Sequence, residues 1–478
     1  MTPQTSSPPQ RGDPAPLPSP LPQRGGQKEG PGSRTWPWLL VGLVLFALVG
    51  VAAVLLPSFA FAALLAAGAV VILWLLLPEA LILALLVSRS SVDGFMDLFT
   101  LFSGSALSMN LSGAVNSLAV GLGILTLLRR LVSRRHLWVA APGRAYALFL
   151  VVGLLSIAGS IDLAGSIKEW ARLASGLAIY VMVADVVHEE RGARRVIAVL
   201  FLSSGVPLAL AWLQILTGSG YFFLGFIGTE YAYRPLGTFA HPAALGAYLV
   251  ILLTLSIGLI MTATSARVRA ALLAWSGAAA ACLVLTLARA QWLGMMVASL
   301  VVGLLKRRWL AFLALTVAAL LLAGVPLLRE RLTASDSVDW RLDLWQASWT
   351  LAWPPSLLGR GLGTAHLYVN QLLPKVDAPP HNDYLKALIE TGSLGLVAYG
   401  VSLYALLRHA WLAYRAAQDR IISWRALGLL AVVLAGMVMS LVDNYQGYAA
   451  VQWYLWALVA LVPRLGCWPQ AATAAPAQ

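Results

Sequence analysis

The sequence is poor in charge, in acid and in cysteine, and each shortage excludes something. Only 11% of its 478 residues are charged, against 59% hydrophobic. Soluble domains carry roughly 25% charged residues, so a soluble globular enzyme is ruled out. The apolar stretches are continuous and show no alternation of apolar with polar residues, which disfavours an outer-membrane barrel. Two cysteines, Cys282 inside an apolar run and Cys467 near the end, support neither a disulfide framework nor a thiolate metal site. No internal repeat is visible. The polar lead before the first apolar run is too long for a signal peptide.

What is present is membrane-spanning material. At roughly 20 residues per crossing, the apolar content suffices for about 12 to 14 helices. The predicted fold is an all-α polytopic transmembrane bundle. Apolar runs fall at about 37–56, 59–77, 79–95, 111–128, 145–161, 168–187, 195–217, 242–262, 270–287, 292–305, 309–327, 394–413, 426–442 and 450–463. The third run holds Glu79 and Arg89 and is expected to be short or partly re-entrant. Residues 1–36, rich in Pro, Gly, Gln and Ser, are predicted to be a disordered cytoplasmic tail. Residues 37–463 form the membrane domain and 464–478 a cytoplasmic C-terminal tail.

The net charge of +13 would suggest nucleic acid in a soluble protein. Here the basic residues sit in short clusters between apolar runs, at 129–144, 191–195, 267–269, 306–308 and 415–425. The positive-inside rule places these clusters, and both termini, in the cytoplasm. We therefore expect no nucleic-acid partner. The alternate connections face outward, and the longest, 328–393, is expected to carry one or two short helices over the outer membrane face.

Three polar groups recur on the predicted outer side. Tyr233 to Pro242 precedes the run at 242–262 and contains Arg234 and His241. Leu287 to Gln291 is a short link holding Arg289 near the bilayer boundary, where an arginine must find an anion or snorkel. Pro380-His381-Asn382-Asp383-Tyr384 lies late in the long loop. Two outward guanidiniums suit a phosphate-bearing lipid, because each stays charged and matches phosphate oxygens with paired hydrogen bonds. His381 would add a group able to accept a proton near neutral pH. Blander readings stand beside these: Arg234 as an interfacial anchor, Arg289 as a cap on a helix C-terminus, His381 as an ordinary loop histidine. Gly359-Arg360-Gly361-Leu362-Gly363 follows no predicted strand and reads as a turn, not a phosphate cradle. No outward Asp-X-Asp motif is present, Asp336 and Asp339 being the nearest approach.

These residues carry a resemblance to the O-antigen ligase and O-antigen polymerase superfamily of bacterial envelope glycosyltransferases. The matching features are RPLGTFAHPAALGAY at 234–248, LARAQWLG at 287–294, RLDLWQASW at 341–349 with LLGRGLGT at 357–364, and HNDYLKALIETGSLGLVAY at 381–399. Two positions depart from the family's frequent pattern: Ala243 in place of Asn, and Ala288 in place of Ser. The resemblance implies a cofactor-free, metal-independent transfer of a glycan from undecaprenyl diphosphate to an acceptor hydroxyl, outside the cytoplasmic membrane. It implies that Arg234 and Arg289 bind the donor diphosphate and that His381 activates the acceptor. Arg341, Tyr384, Asn382 and His241 would support them. Growth of negative charge on the leaving diphosphate, with attack from the opposite face, predicts inversion at the anomeric carbon. Ligase and polymerase share this donor chemistry, so the acceptor stays open between glycan, lipid and protein. The rival from another class is a lipid-linked-oligosaccharide flippase or transporter, which should line a path across the membrane with polar residues.

Overall fold

A computed structural model describes residues 58–98, 100–103, 108–133, 139–218, 222–227, 230–309, 336–374 and 378–462. The expectations for both tails, for the first apolar run and for the run at 309–327 lie outside these residues. The chain divides into two compact units, residues 1–69 and 70–478. Helix α1, Ser58–Leu76, crosses that boundary, and everything that follows concerns the second unit.

The helices follow the apolar runs because lipid offers backbone groups no partner, so each crossing must satisfy its own. In order they are α2 (Pro78–Leu98), α3 (Leu111–Val132), α4 (Ala141–Ser156), α5 (Leu163–Val186), α6 (Glu190–Leu202) and α7 (Gly205–Thr217). Then come α8 (Pro242–Thr262), α9 (Ala266–Leu285), α10 (Arg289–Leu305), α11 (Asp336–Ala352), α12 (Ala365–Leu372), α13 (Asp383–Ala416), α14 (Arg420–Val442) and α15 (Ala449–Leu461). Two short antiparallel hairpins interrupt the series: β1 (Thr100–Ser103) with β2 (Ser108–Asn110), and β3 (Phe222–Ile227) with β4 (Glu230–Arg234). Among the described residues seven helical stretches are long and apolar enough to cross a membrane, with α10 and α15 as shorter apolar helices. The protein is a multi-pass, all-α membrane protein. Helices α8, α14 and α15 supply the most continuous buried surface, with Tyr248, Met439, Trp453 and Trp456 all at 1% exposure or less.

Three expectations gain detail from the structure. The weak third run is a 21-residue helix, α2, with a kink at Val92. It tolerates charge because Arg89 pairs with Asp93 one turn on, at 2.9 Å, and donates to Ser112 of α3. A buried arginine needs such partners. The run at 195–217 is two helices broken at Ser203-Ser204, whose hydroxyls turn back to carbonyls of the preceding turn. The apolar run expected from 394 follows a break at Gly392, and the residues before that break are also helical, α13 beginning at Asp383. Asn382 sets that boundary by accepting from the amides of Tyr384 and Leu385, each at 3.0 Å.

The one or two short helices expected in the long connection are present as α11 and α12. The glycine-rich run between them is a turn, and it has a partner. Helix α13 is interrupted at Gly392, whose φ of 67° lies in the left-handed region. The 356–361 segment fills the interruption. Ser393 and Leu394 donate to the carbonyls of Ser356 and Leu357, while Arg360 and Gly361 donate to those of Ile389 and Glu390. The approach is so close that a Cβ on Gly392 would sit 2.4 Å from the Leu357 carbonyl oxygen. One on Gly359 would sit 2.4 Å from the Glu390 carbonyl carbon.

The basic connections meet at one end of the bundle. Arg129 and Arg130 both pair with Asp185. Arg425 and Arg194 share Glu190, Arg420 donates to the Met261 carbonyl, and Lys306 lies over the Tyr414 ring.

Candidate functional site

Arg234 ends β4, and the turn after it is fixed from two sides. Gln214 of α7 accepts from the amides of Leu236 and Gly237 at 3.0 and 2.9 Å. Thr238 donates to the Ser90 carbonyl of α2, and its own carbonyl accepts from Gly94. The turn thereby places Arg234 at 5% exposure, with its Nε donating to the carbonyl of Thr286. The segment ends at His241, whose Nδ1 accepts from the Ala243 amide at 3.1 Å and caps α8. Burial first, then the charge of Arg234, hold the His241 imidazole down at about 4, with Asp443 opposing.

Thr286 belongs to the link between α9 and α10, so the Arg234 anchor lies three residues from Arg289. The link turns through Leu287, a non-glycine residue with φ of 51°, and Arg289 opens α10. It therefore stands at a helix N-terminus. The partial positive charge of a helix N-terminus adds to a guanidinium there and favours an anion. Arg341, in the first turns of α11, acts on Arg289 as a like charge and also reaches His241. Three guanidiniums thus converge on one end of the bundle.

His381 stands beside them. Trp345 of α11 donates to the Pro380 carbonyl at 2.9 Å, and His381 adopts φ of 49°, a conformation that costs a non-glycine residue about 1–3 kcal/mol. The Trp340 ring meets the imidazole edge-on, 5.6 Å between centroids. His381 Nδ1 lies 3.3 Å from Asp443 Oδ1 and 3.3 Å from the Asn444 amide nitrogen. Asp443 also accepts from Gln291 Nε2 at 2.7 Å and from the Tyr448 hydroxyl at 2.9 Å. Burial pushes the Asp443 carboxyl up, but the hydrogen bonds from His381, Gln291 and Tyr448 outweigh it and hold it down at about 2. An ionised carboxylate only accepts, so this contact favours the proton on Nδ1 and leaves Nε2 as the basic atom.

A short series of direct contacts thus joins the predicted residues. Arg234 touches Thr286, Arg289 follows in the same link, and Gln291 beside it bonds Asp443, which bonds His381. Asn382 and Tyr384 have structural work. The first caps α13, and the second donates its hydroxyl to the Met437 carbonyl of α14 at 3.1 Å. Sequence reasoning missed Asp443, Asn444, Gln291 and Tyr448. One signal was available: Asp443 is the last acidic residue of the chain and follows an unbroken apolar run.

Cationic groups gathered beside an imidazole, at one end of a helical membrane bundle, define a membrane protein equipped to hold an anion next to a proton acceptor. Residues 271–400 match the family model described as O-antigen ligase. That match takes in Arg289, Arg341, His381 and the interruption of α13, and it supports the resemblance to the O-antigen ligase and polymerase superfamily. Comparison with curated proteins gives no match.

Proposed function

We propose that the protein transfers a glycan from a polyprenyl diphosphate, undecaprenyl diphosphate in a bacterial envelope, to an acceptor hydroxyl at the extracytoplasmic face of the cytoplasmic membrane. The observation that carries this reading is the contact series from Arg234 through Thr286, Gln291 and Asp443 to His381. It sets anion-binding groups beside a base.

Arg234 and Arg289 hold the donor diphosphate, with Arg341 adding charge from α11. His381, oriented by Asp443, takes the acceptor proton on Nε2 as the acceptor oxygen attacks the anomeric carbon. The bond to the diphosphate oxygen breaks on the opposite face, inverting the centre. Charge grows on the leaving oxygen, so fixed guanidiniums favour the transition state over the ground state. They take the part a divalent ion plays in other sugar transfers. His241, uncharged at neutral pH, leaves the arginines as the local cations.

Transfer by the purified protein in nanodiscs, with a lipid-linked oligosaccharide as donor, tests the reading. Arg234→Ala or Arg289→Ala should each lower the rate by about 10²- to 10³-fold, and His381→Ala by about 10²- to 10⁴-fold. An Arg289→Ala variant that inserts normally and keeps full glycan output would favour the transporter reading. Retention of the donor's anomeric configuration in the product would refute the single displacement.

A further inference from the structure

A cavity next to His381 shares only Asn444 with the residues around the imidazole. Its volume is about 450 Å³, within the range of about 300–1,000 Å³ found for ligand pockets. The starts of α3, α5 and α13, the glycine-rich turn and the 444–447 turn surround it. Three cations, Lys168, Arg172 and Lys386, face three carboxylates, Asp162, Glu169 and Glu390. Much of this charge is matched internally. Arg172 and Lys386 both pair with Glu169, and Lys386 lies 3.9 Å from Glu390. Arg172 also donates to the Gln446 carbonyl at 2.8 Å.

A lining with equal numbers of cations and carboxylates gives an added anion no net attraction. It offers donors and acceptors side by side, which is what a hydroxyl group, donor and acceptor at once, can use. Asn444 adds a second observation. It is 9% exposed, one end of its side-chain amide lies against His381 Nδ1, and the other end is buried with no hydrogen-bond partner. Buried polar atoms of this kind normally have one. A small rotation of the side chain toward the cavity that Asn444 lines would let a ligand hydroxyl supply it.

We propose that this cavity is a subsite for a sugar unit next to the reacting one, and that its ligand is an uncharged, polyhydroxylated saccharide. The inference rests on the function proposed above. The saccharide belongs either to the donor glycan or to the acceptor, and the two are told apart by probe.

Gly447 provides the test. A Cβ there would meet only Arg172 Nη1 and the Asn444 Cβ, both at 3.7 Å, so alanine fits and a larger side chain takes up cavity space. The full chain in nanodiscs is titrated with three probes. These are oligosaccharide released by mild acid from the host's polyprenyl-linked pool, free oligosaccharide from the host's surface-glycan acceptor, and geranylgeranyl diphosphate. Gly447→Leu should weaken one of the two oligosaccharides by about tenfold or more and leave the diphosphate probe unchanged. Gly447→Ala should stay within about twofold of wild type. Arg289→Ala should do the reverse, losing the diphosphate and keeping the oligosaccharide. Should Gly447→Leu fail to fold, Asn116→Leu, which removes a lining amide, carries the same expectation. Equal oligosaccharide binding by wild type and the folded variant, no binding of either oligosaccharide to wild type, or a preference for inorganic phosphate would overturn the subsite. Loss of the diphosphate arm alone would sink the catalytic reading and leave the saccharide subsite standing.

Discussion

Asp443 is the residue on which the imidazole depends. It is held ionised by three donors, so Asp443→Asn should leave the fold intact and disturb the orientation and tautomer of His381. We expect a fall in turnover of at least about 10²-fold, by analogy with other histidines whose carboxylate partner is lost, with donor-diphosphate affinity unchanged. Measuring kcat and diphosphate binding separately checks this, and an unchanged kcat would refute it. His241 gives a pH prediction. The folded imidazole titrates at about 4, against an ordinary value near ~6.5. Between those two values the unfolded chain accepts a proton that the folded chain resists, so stability falls as pH drops through the window. Protonation would also abolish the acceptor that caps α8. His241→Asn supplies a cap that does not titrate, and should flatten the decline of Tm between pH 6.5 and 4. Arginines and histidines next to apolar runs were legible in the sequence because charge is rare there. Asp443 was legible only as an isolated acid. Its partner Gln291 lies 152 residues away, and the folded chain alone brings them together.

At the scale of elements, the apolar runs marked the helices because a crossing requires about 20 residues of one character. Breaks within a run left no such mark. Ser203-Ser204 is a short interruption in a run that stays apolar on either side, whereas Gly392 stands just before the run expected from 394, and what stabilises both comes from elsewhere in the chain. The interruption of α13 is the sharper case, because the glycine-rich turn provides its hydrogen-bond partners. Gly392→Ala or Gly359→Ala should each destabilise the protein, by about 1–2 kcal/mol for the left-handed backbone alone and further through the contact of the new Cβ. Thermal unfolding in nanodiscs measures the effect. A wild-type Tm for both variants would show that the turn and the helix do not meet as described. Gly400→Ala, where a Cβ meets nothing within 4 Å, is the matched control.

For the whole molecule, two ends of opposite character define an orientation. Arg129, Arg130, Arg194, Arg420 and Arg425 make their pairs at one end, and the His381 group lies among connections that alternate with those. On the positive-inside rule we propose that the basic end faces the cytoplasm. In a Cys467→Ser background, a cysteine replacing exposed Arg269 should react with an impermeant maleimide only after cells are opened. One replacing exposed Trp349 should react in intact cells. The reverse pattern would turn the proposed site to the wrong face. The alternation of basic and non-basic connections is what carries the proposed orientation. Which outward residues share a site was not legible in it, since alternation bears on the side of the membrane and says nothing about neighbours on that side.

The join between residues 356–361 and 389–394 limits how this protein can be recombined with relatives. Four backbone hydrogen bonds cross it, so α11, α12 and the first turns of α13 travel together as one exchangeable piece. A chimera cut at Leu357 or Thr391 would strand the amides and carbonyls of the join. Cuts before Asp336 and after Leu394 would move the piece whole, carrying Trp340, Arg341 and His381 into the new frame while Arg234, Arg289 and Asp443 stay behind to meet them.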